Sequence, residues 1–409
     1  MKILFVVHQF YPMHYTGTEK FLLNLATVMQ KWGHNVKVVT YSFYEDSSYD
    51  SQMNGVLLKE FLYKGIPVVA CKQKAPPEDL NWGIENGGIA ELADRVLRKE
   101  SPDIVHVAHG MRLNEFTLAA KRLNIPYLLT LTDFFLMCPK CILITSQQSL
   151  CSGPEKGEAC KAFCPEFQND YVQRRLTLGE SILRDAAAVV APSKFLGGLF
   201  KNEFSFLEPK VIPYGIDFSR LRRNKRMYDG TGKFIILYAG QINYHKGVHV
   251  LIEAFKGIKA QDLVLKLYGS GPDAAMTNFR EMAKSDPRIE FCGVYNEDGI
   301  GEIFSNADIA VIPSNWHENN TIVMREALAS HLPCVVSNAG GMIDQIQDGV
   351  NGMIFRMGDA IHLKEVLDKV ITHPGMIQSM KKNLNSYALT TVEQEANAYE
   401  QLYHNMIDE

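Results

Sequence analysis

The apolar positions of this chain alternate between two patterns. Residues 3–7, Ile-Leu-Phe-Val-Val, are apolar without interruption, as in a short strand buried on both faces. Gly17 lies in the loop that follows, and Phe21, Leu22, Leu25, Ala26 and Met29 then recur at helical spacing. Gly33, just after Trp32, is a stop signal for that helix, and residues 36–40 are the next apolar run. Strand, glycine-containing loop, helix and strand make a βαβ unit and predict a parallel sheet. The rhythm continues through strand candidates at 103–107, 127–131 and 187–191.

Residues 219–233 interrupt it. They are polar, carry Arg220, Arg222, Arg223, Lys225 and Arg226, and show no apolar period, which reads as a domain linker. Runs at 234–238, 263–267, 309–313 and 333–337 then start a second series, and Tyr387, Leu389, Ala396, Tyr399 and Leu402 outline a last helix from about residue 386. The expected fold class is α/β: two Rossmann-like, doubly wound parallel-sheet domains facing each other across a cleft. Their expected borders are 1–218 and 219–385, with 386–409 as the closing helix. Ligands of such sheets bind beyond the carboxyl ends of the strands.

Composition narrows the class. The chain has 409 residues, 46% hydrophobic and 22% charged, which excludes disorder, collagen and coiled coil as its main state. A net charge of −4 argues against a dedicated nucleic-acid binder. No apolar run approaches the ~20 residues that span a bilayer. The start imitates a secretory signal, but His8 and Gln9 end its apolar run too early, so a cytoplasmic protein is expected.

The most specific chemistry lies between Ala307 and Asp359. Glu318 and Glu326 flank a helix start at which Asn320 and Thr321 are candidate caps, with Ile322 next. Free backbone N–H groups and the helix dipole make such a start an anion site. A phosphate there, with a carboxylate on either side to hold sugar hydroxyls, suits a sugar nucleotide.

With Pro313-Ser314 ahead of this pair and Gly340-Gly341 behind it, the chain resembles the retaining glycosyltransferases of family four, which have the GT-B fold, over essentially its whole length. The resemblance implies transfer from a nucleotide diphosphate sugar to a hydroxyl acceptor, carbohydrate or lipid-linked, in surface polysaccharide, glycolipid or glycoconjugate synthesis. It implies that Glu318 approaches the donor sugar and Glu326 holds the ribose. Lys246, in the stretch from Tyr238 to Gly247, matches a lysine that neutralises the diphosphate, and Gln241 stands where arginine is common. Gly17, in Thr16-Gly17-Thr18-Glu19, matches a Gly-Gly-x-Glu loop near the diphosphate, and Gly293 and Val294 match a loop placed against the base. Many family members carry a histidine where Thr132 precedes Asp133, so Asp133 and His109 are the candidate proton acceptors. No metal ion is expected in catalysis, and the last helix is expected to cross back to the first domain. A catalytically silent sugar-nucleotide-binding protein and a sugar-nucleotide epimerase are the competing readings on the same fold.

Two features stay open. The basic run 220–226 suits either a solvated linker or contact with anionic lipid, the latter placing the protein peripherally at the inner membrane face. Cys138, Cys141, Cys151, Cys160 and Cys164 follow a C-x2-C-x9-C-x8-C-x3-C spacing within a loop rich in proline and glycine. Four of these five could form a structural zinc or iron–sulfur site; free thiols or disulfides are the alternatives.

Overall fold

A computed structural model describes residues 1–296 and 299–408. The chain forms two compact units: Met1–Gly215 with Val392–Glu409, and Ile216–Thr391.

The first unit carries β1 (Lys2–Val7), β2 (Asn35–Tyr41), β3 (Ser51–Met53), β4 (Val56–Tyr63), β5 (Ile66–Gln73), β6 (Ile104–Val107), β7 (Tyr127–Thr130), β8 (Ala188–Ala191) and β9 (Lys210–Val211). They form one sheet in the order β3-β4-β5-β2-β1-β6-β7-β8-β9. The pairs β3/β4 and β4/β5 are antiparallel, while β2, β1, β6, β7 and β8 run parallel. Strands β6 and β7 are buried at every residue, as continuous apolar runs between two helix layers must be. The helix Gly17–Lys31 starts on a reciprocal cap: the Thr16 backbone N–H and hydroxyl both donate to Glu19 Oε2 at 2.6 Å.

The closing helix Val392–Asp408 packs on the helix Gly17–Lys31. A buried polar chain ties it to the sheet. His106 Nδ1 lies 2.6 Å from the Tyr403 hydroxyl, His106 Nε2 lies 2.8 Å from Thr130 Oγ1, and Thr130 meets the Tyr399 hydroxyl at 3.0 Å. Burial pushes the His106 imidazole down to about 3, so it serves the network as a neutral ring.

The second unit carries β10 (Phe234–Ala239), β11 (Leu263–Tyr268), β12 (Ile289–Gly293), β13 (Ile309–Ile312), β14 (Cys334–Ser337) and β15 (Gly352–Phe355). The order is β12-β11-β10-β13-β14-β15, with every neighbour parallel. Alternate residues of β10 serve opposite faces. Phe234, Ile236 and Tyr238 join one apolar cluster, and Leu237 joins the other. The parallel strands of the first sheet reverse their order between β1 and β6, and those of the second between β10 and β13, where open α/β sheets place their ligands.

The polar stretch 219–233 is not a free linker. Asn224 is buried and donates to the carbonyls of Phe304 and Ala307 at 2.7 Å. The Arg226 guanidinium holds both oxygens of the fully buried Asp308, at 2.8 and 2.9 Å. Lys381 donates to Asn224 Oδ1 at 2.9 Å and to the Arg226 carbonyl at 2.6 Å. Arg220 pairs with Asp217 at 3.1 Å and Arg223 bonds Asn385. Most of the basic run is thus spent on protein partners, with Arg222 and Lys225 exposed. Ile216 and Thr391 bridge each other, so the unit borders fall at 215/216 and 391/392. Among the described residues, no helix is long and apolar enough to cross a membrane.

Candidate functional site

The second unit brings Lys246 and Glu318 together at the carboxyl ends of β10 and β13. Lys246 sits in the loop after β10, and Ser314, Trp316 and Glu318 sit in the loop after β13. The loops are stitched together: Asn315 N–H donates to the His245 carbonyl at 2.8 Å, and Gly247 N–H to the Tyr244 carbonyl at 2.9 Å. Gly247 has φ +71°, and a Cβ there would lie 1.8 Å from the Pro313 carbonyl oxygen.

Three donors converge on a single oxygen of Glu318. Lys246 Nζ reaches Oε1 at 2.8 Å, the Ser314 hydroxyl at 2.6 Å and the Trp316 indole N–H at 2.7 Å. Burial alone pushes the Glu318 carboxyl up, but the Lys246 charge and the three hydrogen bonds outweigh it and hold the group below its usual range. Ser314 is itself fixed, since the Ser337 hydroxyl at the end of β14 donates to its carbonyl at 2.7 Å. Behind Glu318, Gly341 N–H donates to its carbonyl at 2.6 Å.

Glu326 lies one turn inside the helix Ile322–Ala329 and is buried. Thr321 occupies the N-cap position in extended conformation without a side-chain capping bond, and Asn320 beside it is buried. Of the remaining donor-side candidates, Gln241, Gly293 and Val294 are exposed at the ends of β10 and β12. The Gln241 carbonyl accepts from the Tyr238 hydroxyl. Gly17, in the first unit, is the first residue of its helix and is exposed.

The first unit has its own polar cluster, after β1, β6 and β7. His109 Nε2 lies 2.7 Å from Asp133 Oδ2, and Met111 N–H donates to His109 Nδ1 at 3.2 Å. The backbone donor at Nδ1 puts the ring proton on Nε2. Both ring nitrogens thus have a hydrogen-bond partner. Asp133 Oδ1 accepts from Phe135 N–H at 2.8 Å, and its side chain is 24% exposed. This separates the two candidates: Asp133 can accept a further hydrogen bond, and His109 holds it. The pair lines a small pocket with Asn114, Thr132 and Phe135. Thr132 donates to the Ala108 carbonyl at 3.0 Å. The His8 ring packs on that of His109 with centroids 4.0 Å apart. Burial, and then the neighbouring His109, Arg112 and His14, hold its imidazole well below the usual value.

The cysteine loop gives no support for a metal centre among the described residues. Cys138, Cys151, Cys160 and Cys164 line one pocket, yet among the described residues no group of three or more His, Cys, Asp or Glu is placed to hold an ion. All five are free thiols. Burial raises Cys138, Cys141, Cys151 and Cys160, which favours the neutral thiol in the structure as it stands. Cys138, Cys141 and Cys160 belong to the apolar core of the unit, so the structural-metal expectation finds no support there.

Sequence singles out neither Trp316, two residues before Glu318, nor His8, which reads as a strand-end structural histidine.

Comparison with known proteins covers the whole chain. The profile of Glycosyltransferase Family 4 matches residues 15–220, and that of Glycosyl transferases group 1 matches residues 223–388. An uncharacterised glycosyltransferase of Methanocaldococcus jannaschii is 23% identical over 360 residues, spanning 86% of this chain and 84% of its own length. Sucrose-phosphate synthase from Thermosynechococcus elongatus superimposes with a TM-score of 0.76 at 18% identity, over 100% of this chain and 99% of that one. Anabaena HepE in complex with UDP-glucose superimposes with a TM-score of 0.71 at 17% identity, over 100% of both chains. These superpositions show the GT-B fold.

Proposed function

The chain belongs to glycosyltransferase family 4, and on that premise we propose that it moves a sugar, with retention, from a nucleotide diphosphate sugar to a hydroxyl acceptor. The reading rests on one observation above the others: the ammonium of Lys246 and two neutral donors meet the buried Glu318 at the point where the second sheet reverses. An acidic and a basic group held together at a ligand-binding edge can serve a donor that is both anionic and rich in hydroxyls.

In this reading Lys246, the backbone amides near Thr321 and the dipole of the helix Ile322–Ala329 stabilise the departing diphosphate. Glu318 orients the sugar and Glu326 holds the ribose. The UDP-glucose complex of the Anabaena neighbour supports the donor class. Attack on the face that the diphosphate leaves gives retention. The acceptor is carbohydrate or lipid-linked, and the product feeds surface polysaccharide, glycolipid or glycoconjugate synthesis.

A panel of UDP-, GDP- and ADP-sugars, assayed for saturable binding and for slow donor hydrolysis, tests this. One donor should bind and turn over, and Glu326→Ala should raise its KM about tenfold through one lost charge-assisted hydrogen bond. Binding without hydrolysis, or transfer to none of a panel of hydroxyl acceptors, would overturn it in favour of a silent binder. Unchanged kinetics in Glu326→Ala would sink the ribose assignment.

On the acceptor side, the remaining lone pairs of Asp133 take the acceptor hydroxyl. Asp133→Asn should lower the rate of transfer about 10²-fold while donor hydrolysis keeps its KM. His109→Gln, which can still donate to Asp133, should cost less. Equal losses in transfer and hydrolysis would show that Asp133 acts on the donor or on the fold instead.

A further inference from the structure

Trp316 has no part in the roles assigned so far, yet its indole touches both charged groups of the donor site. Its N–H donates to Glu318 Oε1 at 2.7 Å, and Lys246 Nζ lies 4.4 Å from its ring centroid. The ring is braced by His245, edge-on at a centroid distance of 5.1 Å and an interplanar angle of 70°. His245 is itself pinned, since its carbonyl accepts from Asn315 N–H at 2.8 Å.

Lys246 therefore faces a choice. Its ammonium is bound to Glu318 at 2.8 Å, and a diphosphate entering the site carries more charge than one carboxylate. As Lys246 turns toward the phosphates, Glu318 loses one of its three donors while it stays buried. A buried carboxylate stripped of partners is costly and tends to shift or to take up a proton. Two donors remain, the Ser314 hydroxyl and the Trp316 N–H. The hydroxyl can rotate away, because a serine O–H is free to turn. The indole N–H cannot turn without moving the whole ring.

We propose that Trp316 is a positioning residue for glycosyl transfer: its N–H holds the Glu318 carboxylate in place once Lys246 has turned to the donor diphosphate, and its ring face carries the ammonium between the two anions. This rests on the reading of Glu318 and Lys246 as donor-site residues. The two faces of the indole separate by substitution. Trp316→Phe keeps an aromatic face under Lys246 and removes the N–H. Trp316→Leu removes both.

The Phe variant should bind the donor within about threefold of the parent, with kcat lowered about tenfold, as for one lost hydrogen bond to a charged group. The acid limb of its kcat–pH profile should move up by about one unit, because Glu318 loses a donor that favours its ionised form. The Leu variant should in addition raise the donor KM several-fold through the lost ring–ammonium contact. The titratable groups facing Glu318 are Lys246, Tyr238 and His245. Tyr238 is raised by burial and then by Glu318, so it stays neutral. Burial, with help from Lys246, brings His245 down to about 4, into the same acid region. The profile is therefore also measured in a His245→Asn background, where the shift on adding Trp316→Phe should persist.

Parental kcat and pH profile in Trp316→Phe overturn the proposal. A change confined to thermal stability, with kcat and profile intact, overturns it as well, and so does a shift that vanishes with His245. Should the Leu variant fail to fold, the Phe variant decides alone. Glu318→Gln and Lys246→Ala run alongside: if both leave donor kinetics untouched, the donor-site reading itself falls, whereas impaired controls with a silent Trp316→Phe remove only Trp316.

Discussion

Glu318→Gln is expected to lower kcat roughly 10²–10³-fold, the scale of losing a preorganised electrostatic group in a buried site, with little rise in donor KM. The substitution keeps the shape of the side chain and removes its charge. A glutamine oxygen can still accept from Ser314 and Trp316, which now meet the carboxylate at 2.6 and 2.7 Å. What disappears is the counter-charge of Lys246. That ammonium is then free for the donor's phosphates, so donor affinity should hold or improve while the chemical step suffers. A fall in kcat with a flat or lowered KM is the signature of an interaction used after binding. The opposite pattern, a raised KM at constant kcat, would place Glu318 among groups that merely bind.

The pH dependence follows from the direction of the Glu318 shift. Burial raises its carboxyl, but Lys246, Ser314 and Trp316 leave it below the ordinary value in the folded protein. A group depressed in the folded state adds stability above its unfolded pKa and loses that contribution as pH falls through the folded value. Activity of the free enzyme that needs the ionised form is lost over the same fall, so the parent should show an acid limb in kcat/KM below the ordinary glutamate range. Glu318→Gln has no carboxyl to titrate. Its residual activity should lack the part of the limb that belongs to Glu318, and retention of the full limb would assign it elsewhere.

The strands that sequence displays best are those buried on both faces. The runs at 3–7 and 234–238 overlap β1 (Lys2–Val7) and β10 (Phe234–Ala239), because a strand between two helix layers has no solvent side to break its apolar run. The hairpin strands β4 and β5 escaped the reading. Val56–Tyr63 mixes in Lys59 and Glu60 where it runs past the three-residue edge strand β3, and such open sheet edges carry charge. β15, Gly352–Phe355, opens on a glycine and is four residues long, too short for any period. The stretch 219–233 misled for a different reason. Its polar residues pair with buried Asp308 and with backbone carbonyls that lie some 80 residues on, and a pairing at that separation leaves no local trace.

The site was legible where chemistry sits in one contiguous segment. Glu318, Thr321 and Glu326 were readable as a helix start flanked by carboxylates. The convergence on Glu318 was not, since Lys246 comes from a loop 72 residues away, and only the strand order brings the two loops together. The His109–Asp133 pair was visible only as two candidates. Their division of labour depends on the Met111 and Phe135 backbone donors, which no pattern of side chains encodes. For the cysteines a spacing that suits a metal and free thiols alike left the choice open, and three of the five pack in the apolar core.

Gly247→Ala is the second large effect to expect: about 2–5 kcal/mol of stability lost, together with a fall of about 10²-fold in kcat/KM for the donor. Two costs add. The residue has φ +71°, where a side chain is strained whatever the space around it. Space is also lacking, because the new Cβ would lie 1.8 Å from the Pro313 carbonyl oxygen and 2.6 Å from its carbon. Both are backbone atoms and cannot swing aside. The loop after β10 must move away from the loop after β13, and those are the loops that carry Lys246 and Glu318. A shift of about an ångström at either group is enough to cost two orders of magnitude. Gly349→Ala separates the two costs. Gly349 has φ +73°, and a methyl group added there would meet nothing within 4 Å, so it carries the conformational cost without the clash. Denaturant unfolding of the two variants should differ by the clash alone, with Gly349→Ala losing about 1–2 kcal/mol and keeping parental kinetics. If Gly247→Ala matches Gly349→Ala in both measurements, the close approach of the two loops does not position Lys246.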